Sequence, residues 1–232
     1  MTIDREVQRL TEVYRNYRES GIAGLKWSLA NPGNRMMAEE RQRMLTRLLQ
    51  AYGFLPLAGR RILDIGCGGG AILASFKDFG ASPENLFGID LMAERIVQAK
   101  ESFPGINFQV ENAEELAYQS AYFDLVLLFT VFSSILDYRM AHNVANEIIR
   151  VLKPGGAVVW YDFRYYNPSN PHVKGMTRAD ISALFPGLHL ELKTLTLLPP
   201  LARRLGFFTP VLYPVLSAIR FLHTHYLGIL TK

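Results

Sequence analysis

The stretch "RILDIGCGGGAIL", residues 61–73, decides the fold. Ile62, Leu63 and Ile65 surround an aspartate, four of residues 66–70 are glycine, and a new apolar run follows. A short apolar run that stops at glycines and resumes as another reads as strand, tight turn and helix. Such a turn lets a ligand approach the bare backbone, and a helix N-terminus beyond it adds positive potential.

The same rhythm continues outward. "AILASFKDFG" reads as a helix ending at Gly80, "NLFGIDL" as a strand, and "AERIVQAKESF" as a helix stopped by Pro104. "INFQVEN" reads as a strand, "EELAYQ" as a short helical turn and "FDLVLLFT" as a buried strand. "YRMAHNVANEIIRVL" is a helix closed by "KPGG", and "AVVWYDF" is the next strand. Strands alternating with helices predict an α/β chain with a parallel sheet covered on both faces, and near-continuous apolar strands agree.

The flanks differ. Residues 3–20 and 34–52 read as helices separated by a loop with an Asn-Pro-Gly signal, a helical cap over 1–52. After the 55–165 core, residues 166–232 supply a Pro- and Asn-rich loop, the helix "TRADISALF" with Thr177 as N-cap and Asp180 facing it, and the strand "LHLELKTLTLL". Residues 200–222 read as helix interrupted by Pro210 and Pro214, and "THYLGILT" as the last strand. Nothing marks a linker, so 1–232 is expected to be one domain.

Charge is uneven. The formal net charge is 25 − 21 = +4; residues 1–149 hold 15 basic and 18 acidic side chains and residues 150–232 hold 10 and 3. A basic C-terminal part is either an ordinary solvated surface or suited to anionic substrates and membranes. The uncharged stretch 205–219 lies between Arg204 and Arg220 and is too short and Pro-broken to span a bilayer; it reads as a packed helix or as a membrane-surface contact. One cysteine excludes an intramolecular disulfide and fits a reducing compartment. The N-terminal residues lack the apolar run of a signal peptide, so a cytoplasmic protein, with peripheral contact at the inner membrane face as an option, is expected. No interleaved basic and aromatic run suggests nucleic acid, and no His/Cys/Asp cluster has metal-ligand spacing.

Asp64 chooses among ligands. Gly66, Gly68 and Gly70 alone fit a dinucleotide fingerprint that ends in alanine. A pyrophosphate gains nothing from a carboxylate two residues before the first glycine, whereas a ligand with an ammonium group does. S-adenosylmethionine has an ammonium and a sulfonium and no phosphate. Asp90, 20 residues after Gly70, is placed to accept from ribose hydroxyls or to cap the next helix. Asn112 can accept from the adenine amine and the Ala113 amide can donate to the ring. Leu91 and Met92 either wall that ring or pack in the core.

"ILDIGCGGG", "GID", "ENAEEL", "FDLVLLFTVFSSI" and "RVLKPGGAVVWYDF" resemble, in order and spacing, the successive motifs of class I S-adenosylmethionine-dependent methyltransferases over about residues 55–165. The resemblance implies a Rossmann-like three-layer sandwich whose mostly parallel sheet has the order 3-2-1-4-5-7-6, with the seventh strand antiparallel. It implies that Asp64, Gly66, Cys67, Gly68 and Gly70 line the methionine end, Asp90 the ribose, Asn112 and Ala113 the adenine, and Phe129 and Thr130 the methionine moiety and methyl. S-adenosylhomocysteine would be the product. One departure is Asn112, where the family often has aspartate; Cys67 is expected to be a small packing residue.

The acceptor is expected beyond the fourth and fifth strands and under the cap. Asp162 and His172 are the candidate bases for a hydroxyl acceptor. Asp162 is equally able to pair with Arg164 or cap a turn, and His172 to be an ordinary loop residue. Tyr17, Trp27, Arg35, Ser134, Arg164 and Tyr165 are the candidate acceptor-binding side chains, with Tyr14 and Asn31 also offered by the cap. The flanking "NPGNR" and "NPSNPHVKGMTRADISALFPG" are similar to bacterial methyltransferases of surface-glycan assembly, which implies O-methylation of a sugar. The expectation is methyl transfer to a small-molecule or glycan acceptor by a monomer or homodimer. A lipid or quinone methyltransferase at the membrane surface, a nicotinamide-dependent oxidoreductase and a non-catalytic S-adenosylmethionine-binding module are the alternatives.

Overall fold

The computed structural model describes residues 3–21, 26, 28–168 and 170–232. Its strands are β1 (Ile62–Ile65), β2 (Leu86–Asp90), β3 (Asn107–Val110), β4 (Phe123–Phe129), β5 (Leu152–Phe163), β6 (His189–Leu197) and β7 (His223–Thr231). They form one seven-stranded sheet in the order β3-β2-β1-β4-β5-β7-β6. β7 runs antiparallel to both neighbours and the other pairings are parallel. This is the expected topology.

The helices are α1 (Ile3–Glu19), α2 (Pro32–Ala51), α3 (Ala71–Ala74), α4 (Ala93–Ser102), α5 (Tyr138–Val151), α6 (Arg178–Leu184), α7 (Pro199–Arg204) and α8 (Thr209–Ser217). Strand side chains alternate between the layers. Leu63, Ile65, Val126, Leu128, Val158 and Trp160 meet α1, α5 and α6 through Leu10, Val144, Ile148 and Ile181. Ile62, Leu125, Leu127, Phe129, Val159 and Tyr161 meet α2, α3 and α4 through Leu45, Leu49, Leu73 and Ile96. α1 and α2 therefore cover opposite faces of the sheet.

Local chemistry explains most element ends. Asn31 accepts from the Gly33 and Asn34 amides and Pro32 opens α2. Thr177 and Asp180 complete a capping box at α6. Three readings are corrected. "AILASFKDFG" is α3 followed by a 3-10 turn over Ser75–Phe79, ending at the left-handed Gly80. "EELAYQ" forms no helix, because the Asn112 and Glu111 side chains hold the Glu114 and Ala117 amides in turns. "KPGG" belongs to β5, where Lys153 reaches Asp124 at 2.7 Å.

Because β6 is parallel to β5, the connection from β6 to β7 crosses the carboxyl edge of the sheet. It holds α7, α8 and 3-10 turns at Gly206–Phe208 and Arg220–Leu222. It packs on α2 so closely that a Cβ on Gly33 would meet the Ala202 carbonyl. Among the described residues, no helix is long and apolar enough to cross a membrane.

Candidate functional site

Beyond the carboxyl ends of β1, β2 and β4, under α1, lies a cavity of about 100 Å³. Of the residues expected to hold a cofactor, Gly66, Asp90, Leu91, Met92, Asn112, Ala113 and Thr130 line it, together with Ser134 from the acceptor set. Leu10, Ile135, Met140 and Val144 make it largely apolar. Tyr14, Arg95 and Glu111 complete the wall.

The glycine turn is built by backbone geometry. Gly66, Gly68 and Gly70 have φ of +70°, +55° and +81°. A Cβ on Gly70 would stand 2.6 Å from the Phe108 ring, so the position is closed to other residues on both counts. Cys67 is buried against this turn, and burial pushes its thiol above the ordinary value, with the charges of Asp64 and Asp90 adding to the effect. That is the environment of a packing residue, not of a thiolate nucleophile.

Asp90 accepts from the Gly68 amide through Oδ2 and the Met92 amide through Oδ1, both at 2.9 Å. Its carboxylate is thus fixed in direction. Arg95 lies 3.8 Å from Oδ2 and 4.7 Å from the Tyr14 ring centroid. Asn112 Oδ1 accepts from Glu114 N at 3.1 Å, which uses one of its two lone pairs.

Asp64 stands apart. It is 2 % exposed, and burial, followed by the charge of Asp90, pushes its carboxyl well above the usual range. Among the described residues no hydrogen bond or cation offsets these two effects, and Asp64 itself does not line the cavity. A buried carboxylate without a donor is costly and calls for a cationic or donating partner. The site therefore fits a ligand with an ammonium group beside the glycine turn.

Tyr14 Oη is 2.8 Å from Ser134 Oγ, which donates to the Thr130 carbonyl at 3.2 Å. Burial raises the Tyr14 hydroxyl pKa, the Ser134 bond and Arg95 oppose this, and the charges of Asp162 and Asp90 add to it. One phenol on α1 thus feels both carboxylates. Thr130 holds φ of +59°, a strained conformation for a β-branched residue, at the end of β4.

Asp162 is 1 % exposed and accepts from the Ser133 and Phe163 amides at 2.9 and 2.8 Å. Burial pushes its carboxyl up to about 6, against the opposing hydrogen bonds of Ser133 and Phe163. It lies behind the cavity wall and does not line it. His172 is exposed on the loop after β5, its amide on Asn170 Oδ1. Tyr17 donates to the same Asn170 Oδ1 at 3.1 Å, tying α1 to that loop.

The remaining acceptor candidates are dispersed. Arg35 and Tyr165 are exposed, and Trp27 lies outside the described residues. Arg164 stacks over Tyr165 and Tyr226 and donates to the Arg220 carbonyl, not to Asp162. Phe129 faces the other layer, where it lines a second cavity of about 330 Å³ with Arg41, Gln42 and Ser75. Arg95 was missed; a cation in the first turn of α4 opposes the helix dipole, which is the signal that it serves another group.

Residues 63–160 match the family described as a methyltransferase domain. The chain is 38% identical over 105 residues to a ubiquinone biosynthesis O-methyltransferase of Chelativorans sp. (strain BNC1), covering 44% of this chain and 39% of that protein. It is 32% identical over 116 residues to a phthiotriol/phenolphthiotriol dimycocerosates methyltransferase of Mycobacterium ulcerans (strain Agy99), covering 49% and 40%. The chain thus spans about two-fifths of the length of these curated relatives. A solved S-adenosylmethionine-dependent methyltransferase from Mesorhizobium loti shares the fold, with a TM-score of 0.61 at 18% identity over 79% of this chain and 95% of that one. Residues 63–160 therefore match a methyltransferase domain, and the chain shares the fold of the solved methyltransferase.

Proposed function

We propose, from a chain whose core is a class I methyltransferase domain, that the whole protein transfers a methyl group from S-adenosylmethionine to a hydroxyl oxygen of a small, largely apolar acceptor. The observation that carries this reading is Asp64, a buried carboxylate whose raised pKa no hydrogen bond or cation among the described residues offsets, set one residue before the end of β1 beside the glycine turn. A cationic amino-acid end of the cofactor supplies the missing partner. Asp90, with its direction fixed by two amides, would accept from the ribose, and Asn112, the Ala113 amide, Leu91 and Met92 would hold the adenine.

When bound, the cofactor supplies an electrophilic methyl group on a sulfonium. The protein's part is alignment, exclusion of water and removal of a proton. The Leu10, Ile135, Met140 and Val144 walls keep the pocket dry. Asp162, with a pKa of about 6, is largely ionised at neutral pH and is the better of the two candidate bases; it does not line the cavity, and its charge would act on an acceptor through Tyr14, which does. His172, exposed on its loop, is the weaker one.

The names of the matched relatives support a quinone-type or lipid acceptor over the glycan implied by the softer sequence resemblance. The test is transfer of labelled methyl from S-adenosylmethionine into host extract, split into aqueous-glycan and organic phases. Label in the organic phase is expected. Label confined to the glycan phase would restore the sugar reading. Binding without transfer into either phase would overturn catalysis and leave a binding module.

A further inference from the structure

The β6–β7 connection has two unlike sides. Its inner side is fixed to α2 by Glu40, which accepts from Tyr213 and Ser217 at 2.7 Å each. Asn31 Nδ2 adds a bond to the Arg203 carbonyl. Its outer side presents Phe207 at 91% exposure, Phe221 at 73%, and exposed Phe208, Val211 and Val215. Val211 and Val215 are one helical turn apart on α8, away from the inward Tyr213. Large apolar side chains clustered this way mark an interaction surface, not scattered exposure.

Charge selects the partner. Residues 192–232 contain no Asp or Glu and five basic residues, Lys193, Arg203, Arg204, Arg220 and Lys232. Arg204 and Arg220 are exposed and bracket the apolar face. A second copy docking the same face by two-fold symmetry would bring these cations together with no acidic residue of the segment to offset them. An anionic bilayer satisfies both features, with phenylalanines among the acyl chains and guanidiniums at the headgroups.

We propose that this face, centred on Phe207, Val211, Val215 and Phe221, docks the protein on an anionic membrane surface without crossing it. The docking does not depend on the acceptor's identity. Its consequence for catalysis rests on the proposed methyl transfer: the face shares the carboxyl edge of the sheet with the cofactor cavity, so an amphipathic acceptor held in the bilayer is presented to the working edge.

The test is flotation of the full chain with phosphatidylcholine vesicles, with and without phosphatidylglycerol. The wild type is expected to float with the anionic vesicles. The Phe207→Ser/Phe221→Ser variant is expected to lose on the order of tenfold or more in binding. The Arg204→Gln/Arg220→Gln variant is expected to lose about tenfold on anionic vesicles and to bind neutral ones as the wild type does. S-adenosylmethionine binding, measured by calorimetry on each variant, verifies the fold and separates failure of docking from failure of the cofactor reading. A wild type that does not float, or undiminished flotation of the Phe207→Ser/Phe221→Ser variant, overturns the proposal. So does a dimer in sedimentation velocity that this variant converts to monomer, since the face would then belong to a second copy.

Discussion

Asp64, one residue before the end of β1, and Asp90, at the end of β2, stand on adjacent parallel strands, with Asp64 beside Gly88 in the ladder, and the charge of Asp90 adds to burial in raising the Asp64 carboxyl pKa. On the proposed reading the two carboxylates would divide one ligand. Asp90 is anchored by backbone amides, and Asp64 waits for a donor.

Asp64→Asn is expected to stabilise the protein and weaken the cofactor. The folded-state pKa of Asp64 lies above its unfolded value, so its contribution favours folding at low pH and is lost as pH rises through the folded value. Above the unfolded carboxyl value this raised pKa opposes the fold. Removing the titrating group should raise the melting temperature at pH 7 through about 1–3 kcal/mol of relieved burial cost, at about 2–4 °C per kcal/mol. The gain should vanish by about pH 4, near the unfolded carboxyl value. Affinity for S-adenosylmethionine should fall by about 10–100-fold through the lost charge-assisted contact. Paired thermal melts and calorimetry check both signs.

If Asp162 is the base, the rate must follow its ionisation. With a pKa of about 6, kcat should fall on acidification below that value and level off above it. Asp162→Asn should lower kcat by about 10²–10⁴-fold while cofactor binding persists. His172→Ala should stay within about threefold of wild type, well short of a lost general base. A pH–rate profile of the three proteins with the identified acceptor decides the assignment; full activity in Asp162→Asn removes it.

Gly70→Ala should destabilise the fold. The new methyl would press on the Phe108 ring at 2.6 Å, and φ of +81° strains any side chain. Overpacking and backbone strain together predict a loss of about 1–3 kcal/mol or more, read as a lower urea midpoint.

Glu40 is the anchor of the β6–β7 connection. It accepts from Tyr213, Ser217 and the Thr196 amide. Glu40→Ala leaves Tyr213, which is 2 % exposed, without its partner and should cost about 1–3 kcal/mol. Limited proteolysis should then cut within 198–222 faster than in wild type, and Glu40→Gln should restore part of the protection.

Much of this architecture was legible in sequence, for physical reasons. Strands buried on both faces write themselves as apolar runs, and the left-handed turn at Gly66–Gly70 admits little besides glycine. Asp64, Asp90 and Asn112 were legible as candidates from their places at or near the carboxyl ends of β1, β2 and β3. The segment 114–119 misled because side-chain bonds from Glu111 and Asn112 replace helical ones, a competition that helical periodicity does not reveal. Phe129 and Thr130, adjacent in sequence, divide between the two faces of the sheet, so one lines the cofactor cavity and the other the second cavity. Arg95 and Tyr14 meet through tertiary packing of α1 on α4, which no local pattern encodes.

The reversed direction of β7 gives the molecule two poles. The strand carries the chain away from the working edge over nine residues, about 30 Å at ~3.3 Å per residue. It delivers Lys232 to the opposite side, where its Nζ donates to the Ile149 and Leu152 carbonyls. A tether attached at Lys232 would therefore immobilise the protein with the cavity beyond β1, β2 and β4 turned outward. A fluorophore placed there would report on tumbling and orientation while remaining clear of the cavity and of the β6–β7 connection.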